Sequence, residues 1–305
     1  MTNEYSKEDA MTVRTVGILS PGDMGSNVGR ALRENGFEVV TSLEGRSERT
    51  RTLAAEAGLA DAGSLRALVE RADLILSIMV PSEAEGLAGE VAGVIRQTGK
   101  PVAFADCNAI SPETVKGIGR TIEAAGGRFI DAGIIGGPPR NGSTPPRFYA
   151  SGPHEAVLGE LDGRGISVPL LGGEVGRASA VKMCYAAITK GTQALYAATL
   201  LAAESLGAYD DLMAEIASSQ PETLKRMNSV TGISSKAFRW VGEMEEIAAT
   251  FADAGSTPLI HQGAAEIFQL IADSPIGDER PETVDRSRSL HDTVKLFAEG
   301  GRVKP

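Results

Sequence analysis

Residues 13–25 have the sequence VRTVGILSPGDMG, in which an apolar run leads into a turn containing proline and glycine. The run at 13–19 is typical of a buried strand, and residues 24–35 have the pattern of a helix. A strand, a glycine turn and a helix in this order form the context of a dinucleotide-binding loop. In such a loop Gly22 would let the backbone approach a pyrophosphate, and Gly25 would let the helix pack against the strand. The amides at the start of the helix would receive the phosphates.

One position departs from the pattern G-x-G-x-x-G, because Ser20 stands in place of the first glycine. An ordinary Pro-Gly turn is the alternative interpretation of these residues. We predict cofactor contacts from the whole turn, which consists of Ser20, Pro21, Gly22, Asp23, Met24 and Gly25.

Outward from this loop, short apolar runs alternate with helical patterns as far as residue 135. The predicted strands are 13–19, 37–41, 74–80, 102–105 and 128–135, and the predicted helices are 24–35, 47–57, 83–97 and one that begins at Ser111. This alternation indicates βαβ units and a mainly parallel, doubly wound sheet. Further short strands are predicted at 147–151 and 166–170, in a segment rich in glycine and proline.

After Gly176 the pattern becomes helical. An alanine-rich stretch at 177–206 predicts one long helix, and further helices are predicted at 221–230, 235–254, 258–273 and 281–299. We therefore predict an α/β Rossmann-type N-terminal domain over 13–175 and an all-α C-terminal domain over 176–305, preceded by a disordered tail at 1–12.

The composition excludes several classes of protein. Of 305 residues, 42% are hydrophobic and 23% charged, which excludes disordered and collagen-like chains. The net charge of -10 argues against nucleic acid or an anionic membrane as the main partner. Apolar stretches fall short of the ~20 residues that span a bilayer. With two cysteines and no apolar signal region at 1–11, we expect a reducing, cytoplasmic location.

The residue that discriminates between nicotinamide cofactors should follow the second strand, about 20 residues after the glycine turn. Arg46 with Ser47 would hold the 2′-phosphate of NADP, because a guanidinium binds phosphate through two parallel hydrogen bonds. Glu44 would instead bind the free 2′-hydroxyl of NAD and repel a phosphate. A solvated turn with Ser47 as a helix N-cap is the third interpretation. We favour NADP, with NAD as the alternative.

Five motifs, in order, resemble the β-hydroxyacid dehydrogenases, the group that includes 3-hydroxyisobutyrate and 6-phosphogluconate dehydrogenases. The loop at 17–28 resembles that family's cofactor loop, and the turn at Met79, Val80 and Pro81 is similar to the turn after its central strand. Residues 106–112 resemble its Asp-x-Ser-x-x-Ser-Pro segment, and residues 131–137 its substrate motif Asp-Ala-Pro-Val-Ser-Gly-Gly. Residues 173–184 resemble its catalytic-lysine helix. The second half is similar to a less characterised, phosphogluconate-dehydrogenase-like helical domain.

The resemblance implies an NAD(P)-dependent enzyme acting on CH–OH groups, with Lys182 as general acid and base and cofactor contacts at 79–81. Lys182 lies on an alanine-rich helix face, where a lysine must find a partner or line a cavity; a surface lysine is the alternative. Asn108 is expected at the carboxyl edge of the sheet, where it would orient the substrate hydroxyl or support Lys182; a simple turn amide is the alternative. The resemblance also implies a homodimer.

Two departures from the family concern the substrate. The serine of the substrate motif is Ile135, and the asparagine four residues after the lysine is Ala186. In the family both positions help to hold the substrate's carboxylate and hydroxyl, so their loss favours a less polar pocket and a larger or aromatic small-molecule substrate. The predicted substrate contacts are Ile135, Gly136, Gly137, Tyr185, Ala186 and Trp240, with ordinary packing as the alternative for Tyr185 and Trp240.

Three histidines, His154, His261 and His291, do not form the cluster that zinc requires, so we predict no metal. Arg140 and Arg147 would clamp a carboxylate or phosphate, or be solvated loop charges. The predicted function is an NADP-preferring oxidoreductase that transfers hydride between the nicotinamide and a secondary alcohol or ketone. The alternatives are an imine reductase, an oxidative decarboxylase of the same superfamily, and a cofactor-binding sensor without catalysis.

Overall fold

The computed structural model describes residues 12–140 and 142–300, so nearly all of the predicted tail at 1–12 lies outside the described residues. The chain divides into two compact units, the first ending at Lys182 and the second starting at Met183. This division lies beyond the predicted boundary near residue 175, because the first turns of a long helix pack with the first unit.

A seven-stranded sheet in the order β3-β2-β1-β4-β5-β6-β7 forms the centre of the first unit. The strands are β1 Thr15–Leu19, β2 Glu38–Thr41, β3 Ala60–Asp61, β4 Leu74–Ser77, β5 Ala103–Asp106, β6 Arg128–Ile135 and β7 Arg147–Ser151. All neighbours pair in parallel except β6 and β7, which are antiparallel. The predicted doubly wound α/β fold is confirmed.

Helices cover both faces of this sheet. They are α1 Asp23–Glu34, α2 Glu48–Ala57, α3 Leu65–Arg71, α4 Pro81–Thr98, α5 Pro112–Ala124 and α6 Glu155–Gly159. One apolar core joins the sheet to α1, α2 and α6, and the other joins it to α3, α4 and α5. Serine hydroxyls cap the amino ends of α2, α3 and α5, which fixes where these helices begin.

The strand order places a topological switch beside β1, because β2 lies on one side of it and β4 on the other. From β1 the chain continues outward through β2 to β3, and it then crosses over to β4 on the other side of β1. Open α/β sheets bind ligands in the resulting crevice, at the carboxyl ends of the strands. The loops that follow β1, β2, β4, β5 and β6 all begin at this edge, since these strands are parallel.

The second unit is helical. Helix α7 Arg177–Ser205 begins in the first unit and continues into the second, and the remaining elements are α8 Tyr209–Ser219, α9 Pro221–Met227, a 3₁₀ turn at Asn228–Gly232, α10 Ser234–Asp253, α11 Leu259–Ala272 and α12 Leu290–Ala298. Trp240 on α10 packs edge-on against Phe268 on α11, with 5.1 Å between ring centroids. None of the helices in the described residues is long and apolar enough to cross a membrane.

The structure corrects two sequence predictions and adds four elements that were not predicted. Residues 281–289 are turns rather than helix, because Arg288 pairs with Glu279 at 2.6 Å and α12 starts only after Ser289 caps it. Residues 166–170 form isolated bridges rather than a strand: Ser167 and Leu170 bridge β7, and Ile166 bridges Asp162. Pro169 has no N–H to donate to a ladder. The elements β3, α3, α6 and α8 were not predicted, although Ser64 before α3 is a recognisable N-cap.

Candidate active site

The loop after β1 is tightly folded. Among the described residues, Ser20 is the only non-glycine residue in the left-handed region, with φ of 62°. The N–H of Gly22 donates to the Ser20 carbonyl at 2.7 Å. A Cβ on Gly25 would lie 2.8 Å from the same carbonyl oxygen, so only glycine fits there. The backbone conformation that glycine would favour at position 20 is therefore present, even though the residue is serine.

The amino end of α1 suits an anion. Gly22 is its N-cap and offers no side-chain hydrogen bond, unlike the serines that cap α2 and α5. The first N–H groups of a helix have no partner inside the helix, and its dipole favours negative charge. A Cβ on Gly22 would meet nothing within 4 Å, so space is open beside these amides. The loop therefore fits the pyrophosphate of a dinucleotide.

The loop after β2 reaches the same edge of the sheet. Thr41 is the register partner of Ile18, and its hydroxyl donates to the Ile18 carbonyl at 2.8 Å. Ser47 caps α2 by accepting the Thr50 N–H at 3.3 Å, as the third interpretation of this turn predicts. Arg46 is half-buried and Glu44 is exposed. The contact with the 2′-phosphate stays a prediction for Arg46 and Ser47, and Ser47 also caps α2.

Sequence reasoning did not single out Arg51, which shapes this same loop. Its Nη2 donates to the Leu43 carbonyl at 2.6 Å, and its Nε donates to the Arg46 carbonyl at 3.1 Å. Two bonds from one guanidinium hold the backbone of 43–46 in place. The signal is weak in a sequence, because an arginine in the first turns of a helix normally indicates only a solvated face.

Asn108 holds the loop that carries Met79, Val80 and Pro81. Its Oδ1 accepts the Met79 N–H at 2.6 Å, and its Nδ2 donates to Ser77 Oγ at 3.0 Å and to Asp106 Oδ2 at 3.1 Å. Asn108 is only 2% exposed. We predicted that it contacts the substrate hydroxyl or supports Lys182, with a simple turn amide as the alternative. These bonds fit the turn amide, and the contact with substrate or Lys182 stays a prediction. Asn108 positions the loop after β4, on the far side of the crevice from Gly22.

Asp106 is buried beneath Asn108 at the end of β5. Burial raises the pKa of Asp106 from 3.8 to about 7, although two hydrogen bonds from Asn108 oppose the shift. Between these two values the folded protein keeps a proton that the unfolded chain has lost. The contribution of Asp106 to the free energy of unfolding is therefore greatest in acid. It decreases as the pH rises from about 4 to 7 and levels off above pH 7.

We expect Asp106→Asn to remove this pH dependence. Between pH 5 and pH 8 the free energy of unfolding should fall by up to about 3 kcal/mol less in the variant than in the parent, because the amide does not ionise. Urea denaturation at the two pH values, followed by circular dichroism, measures the difference. Equal pH dependence in Asp106→Asn and the parent would show that Asp106 ionises normally in the folded protein.

Asp131, at the centre of β6, anchors the amino end of α7. Its Oδ2 accepts the N–H groups of Gly176 at 2.8 Å and Ala178 at 3.0 Å, and Ser151 donates to it at 2.8 Å. Ser179 donates its N–H to Oδ2 at 3.2 Å and its hydroxyl to Oδ1 at 2.6 Å. Asp131 is fully buried. A carboxylate so placed satisfies the free amides of α7 and its dipole.

Lys182 lies one turn beyond this anchor. Its Nζ donates to the Ile134 carbonyl at 2.5 Å, near the carboxyl end of β6. Helix α7 approaches β6 so closely that a Cβ on Gly133 would lie 2.8 Å from Lys182 Cβ and 3.0 Å from the Ala178 carbonyl oxygen. The Lys182 amine therefore lies at the edge of the sheet where the loops after β1 and β4 begin.

The predicted substrate residues differ in accessibility. Gly136 and Gly137 form an exposed turn directly after β6, and Gly136 has φ of 125°. Ile135 is only 3% exposed, so its side chain is packed away and the backbone of the turn is what remains accessible. In the second unit Ala186 and Trp240 are buried, and Tyr185 is 45% exposed. Of the three, Tyr185 alone presents a large accessible side chain.

Trp240 is occupied within the second unit. Besides Phe268 it contacts the ammonium groups of Lys190 and Lys236, each 5.7 Å from the ring centroid. Lys190 is in turn paired with Glu243. This is the packing that we named as the alternative, and a substrate contact of Trp240 stays a prediction. In the described residues no group of three His, Cys, Asp or Glu side chains is placed to hold a metal ion.

Two family models match parts of this chain. Residues 15–159 match the NAD binding domain of 6-phosphogluconate dehydrogenase, and residues 203–271 match a domain of unknown function, DUF1932. An uncharacterised 28.5 kDa protein of Methanothermus fervidus is 27% identical over 198 residues, which are 65% of this chain and 74% of that protein.

Solved structures extend the comparison to both units. A conserved protein of unknown function, described as structurally similar to 3-hydroxyacid dehydrogenases, is 31% identical with a TM-score of 0.63, over 85% of this chain and 97% of that one. The 3-hydroxyisobutyrate dehydrogenase of Mycobacterium tuberculosis shares the fold at 17% identity and a TM-score of 0.66, over 92% and 98% of the chains. An imine reductase of Streptomyces aurantiacus shares it at 18% identity and 0.52, over 93% and 99%. The chain therefore belongs to the 3-hydroxyacid dehydrogenase-like family of proteins with a 6-phosphogluconate dehydrogenase-type NAD-binding domain.

Proposed function

We propose that this protein is an NADP-preferring oxidoreductase that interconverts a secondary alcohol and a ketone, with Lys182 as the proton donor and acceptor. The observation that carries the proposal is the position of the Lys182 amine at the Ile134 carbonyl. It lies at the edge of the sheet where the anion-accepting loop after β1 also begins. A general acid and a dinucleotide site on one sheet edge are what carbonyl reduction requires.

The cofactor would be held by backbone more than by side chains. The amides at the start of α1 and the open space at Gly22 suit a pyrophosphate, and Arg46 suits a 2′-phosphate. The loop at 79–81, held by Asn108, would line the other side of the crevice. A bound nicotinamide supplies the hydride.

Lys182 donates the proton in reduction and accepts it in oxidation. With its amine donating to the Ile134 carbonyl, it is oriented as a donor before any substrate arrives. In reduction it passes a proton to the carbonyl oxygen as the carbon receives hydride, and in oxidation it takes the hydroxyl proton. The exposed backbone of Gly136 and Gly137 follows directly on the strand that carries Ile134, and would help to hold the substrate.

Titration with NADPH and NADH, followed by cofactor fluorescence and thermal shift, tests the cofactor part. We expect NADPH to bind at least about tenfold more tightly, since Arg46 supplies a charged contact to the extra phosphate. Arg46→Ala should bring the two affinities together. Gly22→Ala should lose both cofactors without loss of stability, because the new methyl group meets no protein atom within 4 Å.

Gly86→Ala on α4 is the matched control for the added methyl group, because a Cβ there also meets nothing within 4 Å. It should bind as the parent does. Tighter binding of NADH would move the discriminating role to Glu44. Binding of neither cofactor by the parent protein would overturn the dehydrogenase proposal.

Imine reduction is the second candidate, because an imine reductase shares the fold. Lys182 favours the carbonyl reaction, since the amine can protonate an alkoxide oxygen as hydride arrives. Supplying matched cyclic ketones and cyclic imines with NADPH separates the two. Consumption of NADPH only with imines, and unaffected by Lys182→Met, would favour the second candidate.

A further inference from the structure

An ion pair joins the loop after β6 to the first turn of α1. Arg140 Nη2 lies 3.3 Å from Asp23 Oδ1. In the sheet, β6 is separated from β1 by β5 and β4, so the loop must extend across the width of two strands to reach Asp23. Both residues belong to the first unit. The loop after β6, which begins with the Gly136–Gly137 turn, therefore brings Arg140 to the proposed phosphate site.

Asp23 places a negative charge beside the proposed phosphate site, and Arg140 offsets it. Asp23 is the first residue of α1, directly after the open Gly22. A carboxylate beside a pyrophosphate would repel it, and the repulsion would offset the attraction of the helix amides. Arg140 neutralises Asp23 and brings a guanidinium to the same place. Because a guanidinium has five N–H donors, the one bond to Asp23 leaves donors for phosphate oxygens.

Arg140 is bonded to Ser143 near the tip of the loop. Ser143 Oγ accepts the Arg140 N–H at 3.0 Å and donates to the Arg140 carbonyl at 2.7 Å. The Ser143 N–H donates to the same carbonyl at 2.9 Å. Two proline pairs, at 138–139 and 145–146, restrict the backbone on either side of Arg140 and Ser143. The arginine is thus presented on a restrained arm, with its side chain 60% exposed.

We propose that Arg140 is a clamp for the cofactor's pyrophosphate, bridging it to Asp23. The clamp rests on the proposed function and adds to it a contact from the loop that also carries Gly136 and Gly137. Through this loop, cofactor binding restrains the turn at which the substrate would bind.

Binding of NADPH, NADH and ADP to Arg140→Ala tests the clamp. All three Kd values should rise about tenfold, because all three ligands carry the pyrophosphate. The slope of log Kd against log salt should become shallower in the variant, since one cationic contact is lost. Arg164→Ala is the matched control, an exposed arginine of the first unit outside this loop, and should leave all three Kd values unchanged.

Adding Asp23→Asn to Arg140→Ala should restore part of the affinity, because the unneutralised carboxylate is removed. Unchanged Kd values in Arg140→Ala, with parent protein that binds NADPH, would overturn the clamp and leave the proposed function intact. A loss confined to NADPH would also overturn it, because Arg140 would then contact the 2′-phosphate. Failure of the parent protein to bind any of the three ligands would instead overturn the proposed function.

Discussion

Replacement of Lys182 by methionine is expected to lower the turnover number for ketone reduction about a thousandfold and to leave the Kd for NADPH unchanged. Positioned proton transfer contributes typically ~100- to 10,000-fold, and methionine keeps an unbranched side chain of similar length while removing the ionisable amine. Lys182 donates to the Ile134 carbonyl, and the proposed pyrophosphate contacts come from the backbone of the loop after β1, so cofactor affinity should not depend on Lys182. Stopped-flow or steady-state loss of NADPH absorbance, with a ketone found by screening, measures turnover.

Lys295→Met on α12 is the control for this substitution, because Lys295 is exposed and lies in the second unit. It should keep full activity. A Lys182→Met enzyme that retains more than about a tenth of the parent's turnover would show that another group supplies the proton. Parent protein that binds NADPH but turns over no carbonyl, alcohol or imine would favour the cofactor-binding sensor.

Replacement of Asp131 by asparagine is expected to lower the free energy of unfolding by about 3 kcal/mol. The carboxylate accepts bonds from three backbone amides and two serine hydroxyls while fully buried, and an amide group would direct its own N–H atoms at some of these donors. Turnover should also fall, because the first turn of α7 places Lys182. Urea denaturation followed by circular dichroism measures the stability.

Asp253→Asn, at the exposed end of α10, is the control for the change of carboxylate to amide, and should change stability by less than about 0.5 kcal/mol. A kcat that falls in Asp131→Asn with little change in the Kd for NADPH would distinguish displacement of Lys182 from general unfolding. Stability within about 0.5 kcal/mol of the parent would contradict the anchoring role.

Local patterns carried most of the fold. Alternating apolar runs and helical segments predicted the parallel sheet, since strands buried on both faces must be apolar throughout. The spacing of Gly22 and Gly25 after β1 predicted the loop, although Ser20 broke the motif; the backbone there takes the left-handed conformation regardless. What the patterns missed are short elements such as α3, whose seven residues give too little periodicity to recognise.

The roles of polar residues depended on partners distant in sequence. Asn108 was predicted to contact the substrate because it follows a strand, and the structure shows its amide bonded to Met79, 29 positions away. Asp131 was noticed only as part of a family motif, yet its bonds to the start of α7 span 45 to 48 positions. A sequence gives the identity of such groups and not the direction in which they point.

The sequence by itself therefore determined the alternation of strands and helices and the position of the cofactor loop, because these depend on neighbours within a few residues. The candidacy of Lys182 came from the resemblance of residues 173–184 to the family's catalytic-lysine helix. The tertiary structure decided that Lys182 reaches the end of β6, that Asp131 anchors its helix and that Arg140 meets Asp23. Each of these contacts joins segments that are close only because parallel strands bring their carboxyl ends to one edge. Hydrogen bonds and ion pairs act over a few ångströms of space, irrespective of separation along the chain.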